Sequence, residues 1–345
     1  MELSEFDFFL PKELIAKYPK NPRGSSKLLY LSNTSQIHDY EFYQIIDLFK
    51  EGDLLVLNDT KVIPAYLEGI VKSAKGLQQE IIIYLNNNPV DSQWVVFAKP
   101  GKLLKIGQLV KFKDNLSATV IDKDVNIGEI TLEFSISGTE LLDKIYHIGK
   151  MPIPPYLKRK PENLDKVDYQ TVFAENDGSV AAPTAALHFN QEILQKIRNK
   201  KVDIAYVTLH IGAGTFLPVK TKNIDEHKMH YESFSIPYRT ASLINKKKKE
   251  GKRIICVGTT TLRTLETVAN KNVIIKPGAG KTNLFIKPGY NFKIVDVLIT
   301  NFHTPKSTLF MLVCAFSGIQ NIKRVYDHAI KKISFFFVWR FLLVR

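Results

Sequence analysis

The residues able to do chemistry in this chain fall into a few short segments. Asn301-Phe-His-Thr-Pro-Lys-Ser-Thr-Leu sets a histidine, a lysine and three hydroxyl side chains where a helix is expected to begin. Thr304 predicts an N-cap and Pro305 the first helical position, where the missing proline N–H would have had no partner anyway. The amides of Lys306, Ser307 and Thr308 then face outward, and with the Lys306 ammonium they suit a phosphate or a carboxylate as well as an ordinary capped helix. His227-Lys-Met-His-Tyr-Glu gathers His227, His230 and Glu232. In an extended chain His230 and Glu232 share a face, and a carboxylate beside an imidazole orients it and raises its pKa. That makes an acid/base couple, with a polar surface strand as the competing reading. The segment has too few ligands for a metal site of usual count, so no metal is expected.

A further segment suits a nucleoside, and another looks at first like a strand running into a glycine loop. Tyr169 to Phe189 is a long run of small residues, including Thr184, that closes on His188 just before a helix start at Asn190. Small side chains there let a planar ligand approach the backbone. Val207-Thr-Leu-His-Ile-Gly-Ala-Gly-Thr runs from a strand into Gly212, Gly214 and Thr215, but no third glycine completes a dinucleotide fingerprint, which leaves an S-adenosylmethionine-dependent RNA methyltransferase as a minor alternative. Lys276-Pro-Gly-Ala-Gly-Lys-Thr fails as a P-loop because Ile275 stands where its first glycine belongs.

These segments need a scaffold. Leu54 to Leu57 reads as a buried strand, putting Asn58, Asp59, Thr60 and Lys61 at its C-terminal end, where open α/β sheets bind ligands. Ile204–Leu209, Ile254–Val257 and Val295–Ile299 read as further strands, with helices beginning at Asn190, near Ala241 and at Pro305. Between about 65 and 150 the texture becomes short β runs with close turns: Glu80–Tyr84, Trp94–Phe97, Leu109–Phe112, Ala118–Ile121 and Glu129–Phe134. The expected architecture is a discontinuous α/β domain (1–64 and 151–345) with an inserted small antiparallel β-barrel (65–150).

The 345 residues carry 48 Lys and Arg against 34 Asp and Glu, a net charge of +14 that suits a polyanionic partner, although lysine richness such as Lys246–Lys249 also makes a solvated helix face. Cys256 and Cys314 lie in apolar runs without CxxC spacing and read as reduced core residues. The acidic N-terminus lacks a signal peptide's features, and the apolar run Phe335–Val344 is about half the length of a membrane span. A cytoplasmic protein is expected.

Collinear motifs add a resemblance. Asn58-Asp-Thr-Lys-Val-Ile-Pro-Ala, Pro100-Gly-Lys, Gly149-Lys-Met-Pro-Ile-Pro-Pro-Tyr, Tyr169-Gln-Thr-Val-Phe, Ala181-Ala-Pro-Thr-Ala, Leu187-His-Phe, Gly212-Ala-Gly-Thr-Phe, His227-Lys-Met-His, Gly258-Thr-Thr, Arg263-Thr-Leu-Glu, Ile299-Thr-Asn-Phe-His and Pro305-Lys-Ser-Thr-Leu resemble the S-adenosylmethionine:tRNA ribosyltransferase-isomerases of queuosine biosynthesis over nearly the whole chain. The resemblance implies an α/β domain with an inserted barrel; a monomer is expected. S-adenosylmethionine would be the co-substrate, giving its ribosyl group to the 7-aminomethyl-7-deazaguanine wobble base of tRNA. Adenine and methionine would leave, and epoxyqueuosine would result. Such a reaction asks for a base, a proton donor and a basic surface for a splayed anticodon base. His188, His210, His230 and His303 are the candidates for proton transfer, with Asp59 and Glu232 as carboxylate partners. Arg263 and Lys306 would hold phosphate or the methionine carboxylate. Asn58, Thr60, Lys61, Thr184, Gly212, Gly214, Thr215, Asn301 and Ser307 complete the expected substrate contacts.

The chain also departs from the family pattern. Ala186, Asn283, Val297, Thr304 and Tyr66 replace a glycine, an aspartate, a glycine, a leucine and an arginine. Ala186 matters most if its position requires positive φ or close ligand approach. After His328-Ala-Ile-Lys-Lys the family continues approximately Tyr-Arg-Phe-Phe-Ser-Tyr-Gly-Asp, whereas residues 333–345 read Ile-Ser-Phe-Phe-Phe-Val-Trp-Arg-Phe-Leu-Leu-Val-Arg. Codons can be chosen so that reading one nucleotide later gives Tyr-Arg-Phe-Phe-Ser-Phe-Gly-Asp, with the glycine largely forced by the single Trp339 codon. A one-base insertion near Lys331 and Lys332 accounts for this, and nucleotides incompatible with the shifted frame would exclude it. Phe335 to Val344 would then be unselected for packing, exposed or disordered, and the chain a tRNA-binding remnant without catalysis if the tail or Ala186 disables it.

Overall fold

A computed structural model describes residues 1–72, 76–86, 92–125, 127–216, 219–332 and 340–344, the last five as backbone only. From the N-terminus run β1 (Lys27–Leu31), β2 (Ile37–Glu41), α1 (Ile45–Leu48), β3 (Leu54–Asn58) and β4 (Thr60–Val62). The inserted region holds β5 (Tyr66–Lys72), β6 (Gln78–Leu85), β7 (Gln93–Lys99), β8 (Leu109–Lys111), β9 (Ser117–Asp124) and β10 (Glu129–Phe134), followed by α2 (Gly138–Ile148). Then come α3 (Asp165–Asp168), β11 (Asn176–Ser179), α4 (Gln191–Asn199), β12 (Asp203–Leu209), β13 (Glu232–Ile236), α5 (Tyr238–Lys249), β14 (Ile254–Val257), α6 (Thr259–Val268), β15 (Gly278–Thr282), β16 (Val297–Asn301), α7 (Thr308–Ser317), α8 (Ile319–Lys332) and β17 (Arg340–Val344).

The main sheet has nine strands in the order β15-β13-β12-β3-β14-β16-β17-β1-β2. Its centre, β12-β3-β14-β16, is parallel. Every residue of β3, β14 and β16 is buried, which is why these strands read as unbroken apolar runs. Alternation still sorts them. Leu54, Val56, Ile254, Cys256 and Leu298 face one core with α5 to α8, while Leu55, Leu57, Ile255, Val257, Val297 and Ile299 face another with α4 and Phe42.

The inserted strands close into a barrel, β10-β7-β6-β5-β8-β9, around a core that includes Trp94, Leu67, Ile83, Val96, Val120 and Leu132. This bears out the mixed α/β class with a small antiparallel barrel. The two chain crossings lie side by side: Tyr66 and Lys150 exchange backbone hydrogen bonds of 3.1 and 2.9 Å. Gly149 makes that approach possible, because a Cβ there would stand 2.1 Å from the Pro64 carbonyl oxygen.

Three expectations need correction. Helix α7 starts at Thr308 rather than Pro305, because Ser307, not Thr304, is its N-cap, accepting from the Phe310 amide at 3.2 Å. Ala186 lies in a tight 3-10 turn (Thr184–His188), is absent from the positive-φ residues and sits fully buried in the α4-side core, so its Cβ meets neither objection raised from sequence. The tail is not wholly outside the fold: Arg340–Val344 pairs antiparallel with β16 and parallel with β1. The expectation for residues 335–339 lies outside the described residues.

Candidate active site

The parallel strands end together at Asn58, Leu209, Val257 and Asn301, and a chain of cavities opens above them. The middle cavity, of about 110 Å³, is lined by Thr184, Thr215, Gly258, Thr259, Thr260, Arg263, Thr300, Asn301, His303 and Ser307, among others. An outer cavity of about 400 Å³ shares Pro154, Tyr156, Thr184 and Asn301 with it and reaches His188. A side chamber of about 30 Å³, sharing Thr215, holds Gly214, His227, His230 and Glu232.

Arg263, on α6, is 3% exposed and donates to the Glu232 carboxylate through Nη1 and to the Leu284 carbonyl through Nε. Its Nη2 has no partner. Asn301 is 6% exposed, and its amide donates to Thr184 Oγ1 at 2.7 Å while its Oδ1 has no partner. Buried polar atoms are normally satisfied, so a donor on a charged group and an acceptor left open beside a cavity mark where a ligand would complete them. A hydroxyl-rich lining between the two adds groups able to bond a sugar.

The histidines have separate settings. His303 contacts Thr300 Oγ1 through Nε2 at 3.1 Å, and its amide donates to the Tyr326 hydroxyl at 2.8 Å. His188 Nδ1 meets Ser26 Oγ at 2.5 Å. His230 does not pair with Glu232: its Nδ1 meets Glu129 Oε1 of the barrel at 3.2 Å, and its ring stands edge-on to Phe97 of β7. Arg263 has claimed Glu232, which also accepts from the Gly212 amide at 3.2 Å. The shared face of an extended segment was therefore not enough, because each side chain found a stronger tertiary partner. His227 shares the side chamber and has its pKa lowered by burial and by His230.

Other expected site residues stand behind the cavities. Asn58 ties strand ends together: its amide donates to the Leu209 carbonyl and its Oδ1 accepts from the Leu209 and Thr60 amides. Asp59 accepts from Thr208 Oγ1 at 2.6 Å, and burial pushes its pKa up. His210 Nδ1 meets Thr60 Oγ1 at 2.8 Å, and burial lowers its pKa against the opposing charges of Asp59 and Asp177. Lys61 faces Asp177. Lys306 turns from the cavities to Asp7, 2.6 Å away, and its amide donates to the Phe6 carbonyl, so the anion site expected at this helix start is already occupied by the chain itself.

Gly212 and Gly214 serve packing rather than a phosphate loop. A Cβ at Gly214 would come within 2.6 Å of the His230 ring, and one at Gly212 within 2.8 Å of Asn86 Oδ1, the atom that accepts from the Ala213 amide. Asn86 and Glu129 are the residues sequence reading missed. Both belong to the barrel region, and nothing local announces a contact across to the α/β sheet. Thr259 and Thr260 were legible only as part of Gly258-Thr-Thr. Among the described residues no group of three His, Cys, Asp or Glu gathers as for a metal, and no helix is long and apolar enough to cross a membrane.

A cleft at the carboxyl ends of a parallel sheet, with an inserted barrel behind His230 of its side chamber, defines an α/β protein built to hold a small polar ligand there. The family model for queuosine biosynthesis proteins matches residues 3–339. The chain is 46% identical to the S-adenosylmethionine:tRNA ribosyltransferase-isomerase of Rickettsia felis, with 98% of this chain and 97% of the relative covered. It is also 46% identical to the protein of the same name in Phenylobacterium zucineum, covering 96% and 95%. The crystal structure of S-adenosylmethionine tRNA ribosyltransferase from Thermotoga maritima aligns with 33% identity and a TM-score of 0.55 over 99% of this chain and all of that one. The chain belongs to the queuosine biosynthesis protein family, as its motifs indicated.

Proposed function

We propose that the protein is a tRNA-modifying transferase that moves the ribosyl moiety of S-adenosylmethionine to the aminomethyl group of a 7-deazaguanine wobble base and isomerises it, releasing adenine and methionine. The observation that carries the site assignment is the pair of open polar atoms, Arg263 Nη2 and Asn301 Oδ1, in one connected cleft. The Arg263 guanidinium, oriented by Glu232, suits the methionine carboxylate as a charge-assisted partner. Threonines 259, 260 and 300 suit the ribose hydroxyls. Asn301 Oδ1, at the junction with the outer cavity, suits the incoming amine. His303 in the middle cavity and His230 in the side chamber serve as proton carriers on the donor side, with His188 on the acceptor side.

The same reading makes residues 1–64 and 151–345 the catalytic domain and 65–150 the inserted domain, in a cytoplasmic monomer without a metal. The methyltransferase alternative loses its basis, since the glycines of the 212–214 loop are taken up by Asn86 and His230. The deciding assay follows adenine released from S-adenosylmethionine in the presence of tRNA bearing the aminomethyl-deazaguanine base. Release by the wild-type chain is expected, with His303→Ala and His230→Ala slowed by about 100-fold or more. S-adenosylhomocysteine in place of adenine would establish methyl transfer instead, tRNA binding without turnover would make the chain a binding remnant, and wild-type rates in both variants would remove these histidines from the chemistry.

A further inference from the structure

The outer cavity is larger than the middle one and differently made. Its walls include Tyr18, Tyr156 and Tyr169, its rim carries Lys20, and Arg23 and Asp168 face it together. Tyr18 is held in place by a hydroxyl donating to Glu162 at 3.0 Å and by the Arg159 guanidinium 4.5 Å over its ring. Arg23 donates through Nη2 to the Val167 carbonyl at 2.7 Å, while its Nη1 is buried without a partner. Burial lowers the Arg23 pKa, and Asp168 opposes that shift. An open guanidinium nitrogen calls for an anion, aromatic walls call for a flat ring, and a carboxylate lining the same cavity calls for paired N–H donors.

One ligand satisfies all three. An enzyme that works on a nucleic-acid base takes it out of the stack, reads its Watson–Crick edge and sandwiches its ring. A guanine-type base presents N1–H and the exocyclic N2–H side by side, and a carboxylate accepts both. Adenine presents an acceptor beside a donor on the same edge and meets a carboxylate with one repulsive contact. We propose that the outer cavity receives the extruded guanine-type base of the acceptor tRNA, with Asp168 on its Watson–Crick edge and Arg23 on a flanking phosphate. The proposal rests on the ribosyl-transfer reading for the identity of the acceptor. It also leaves the donor to the Arg263 side of the cleft, so that the two substrates meet at Asn301.

Equilibrium binding tests this without turnover. Two anticodon stem-loop RNAs that differ only in guanine or adenine at the wobble position are titrated against the full chain, and S-adenosylmethionine is titrated separately. The wild type is expected to favour the guanine loop by roughly 10-fold, within the range of one bidentate base contact. Asp168→Asn should abolish that preference while leaving S-adenosylmethionine affinity unchanged. Arg23→Gln should weaken both loops equally and lower the salt slope by about one, the mark of a lost phosphate contact. Absence of a guanine preference in the wild type, or its survival in Asp168→Asn, overturns the assignment. So does a loss of S-adenosylmethionine affinity in Asp168→Asn, which would make the outer cavity the donor's. A failure of the ribosyl-transfer reading shows itself separately, as no adenine released by a chain that still discriminates the two loops.

Discussion

The two ends of the parallel sheet carry the same kinds of groups in opposite condition. At the N-terminal end Asp53, Asp203 and Asp296 stand at the starts of β3, β12 and β16, paired with Arg253, Lys247 and Lys248. Arg253 meets Asp53 with two nitrogens, at 2.9 and 2.5 Å, and reaches the Leu48 carbonyl as well. At the C-terminal end Arg263 and Glu232 form a more deeply buried pair, yet one guanidinium nitrogen is left open, as is the Asn301 carbonyl oxygen. An ion pair that closes on itself fixes strand ends, whereas one left with an open donor beside a cavity holds a charge ready for something else. Completeness of hydrogen bonding, rather than burial or charge, separates the stabilising end from the binding end.

The largest effect expected from that contrast is at the open pair. Arg263→Ala should lower kcat/KM for S-adenosylmethionine by about 100-fold or more, because it removes the anion partner and strands a buried carboxylate. Adenine release across a range of S-adenosylmethionine concentrations reads this, and an unchanged KM would detach Arg263 from the donor. The closed pair should answer in stability alone. Arg253→Ala is expected to lower the unfolding free energy by about 2–3 kcal/mol in urea titrations, less than a fully buried pair because the arginine is partly exposed, while KM stays at the wild-type value. A shifted KM would mean that the two ends are not independent. The smallest effect concerns protons at the binding end. His210 has a folded-state pKa below its unfolded value, so its contribution to stability is present above the unfolded value and is lost as pH falls through the folded one. Urea midpoints of His210→Gln should therefore fall less than those of the wild type between neutral and acid pH. Parallel curves would assign the acid sensitivity to other groups.

The sequence announced the parts of this arrangement that depend on runs and alternation. Leu54–Leu57, Ile254–Val257 and the barrel strands were legible because a fully buried parallel strand is continuously apolar and the barrel strands come as short β runs at close spacing with turn residues between them. Family motifs marked most of the cleft, including Thr184, Arg263, Asn301 and His303. What they could not give was partnership. Glu232 belongs to Arg263, His230 to Glu129 and Lys306 to Asp7, and each of those partners is distant in sequence. Helix α7 shows the same limit at short range: Thr304 and Ser307 are both good caps, and only the path of the chain past Phe6 decides between them.

The order of strands in the main sheet has a consequence for how the molecule comes to be folded. Among the described residues, the first strand, β1, joins the parallel centre through β17, with Leu28 opposite Arg340 and Val297 opposite Val344. Until that late segment emerges, β1 and β16 each present an unpaired edge, and the hairpin of β1 and β2 is held by side-chain packing of Leu28, Leu29 and Leu31 and by the Asp39 contacts with His328 and Lys332 rather than by a strand ladder. Closing the sheet is thus among the longest-range steps available to this chain, made after the rest of the sheet has been synthesised, and before it the edges of β1 and β16 are templates on which a second strand can pair.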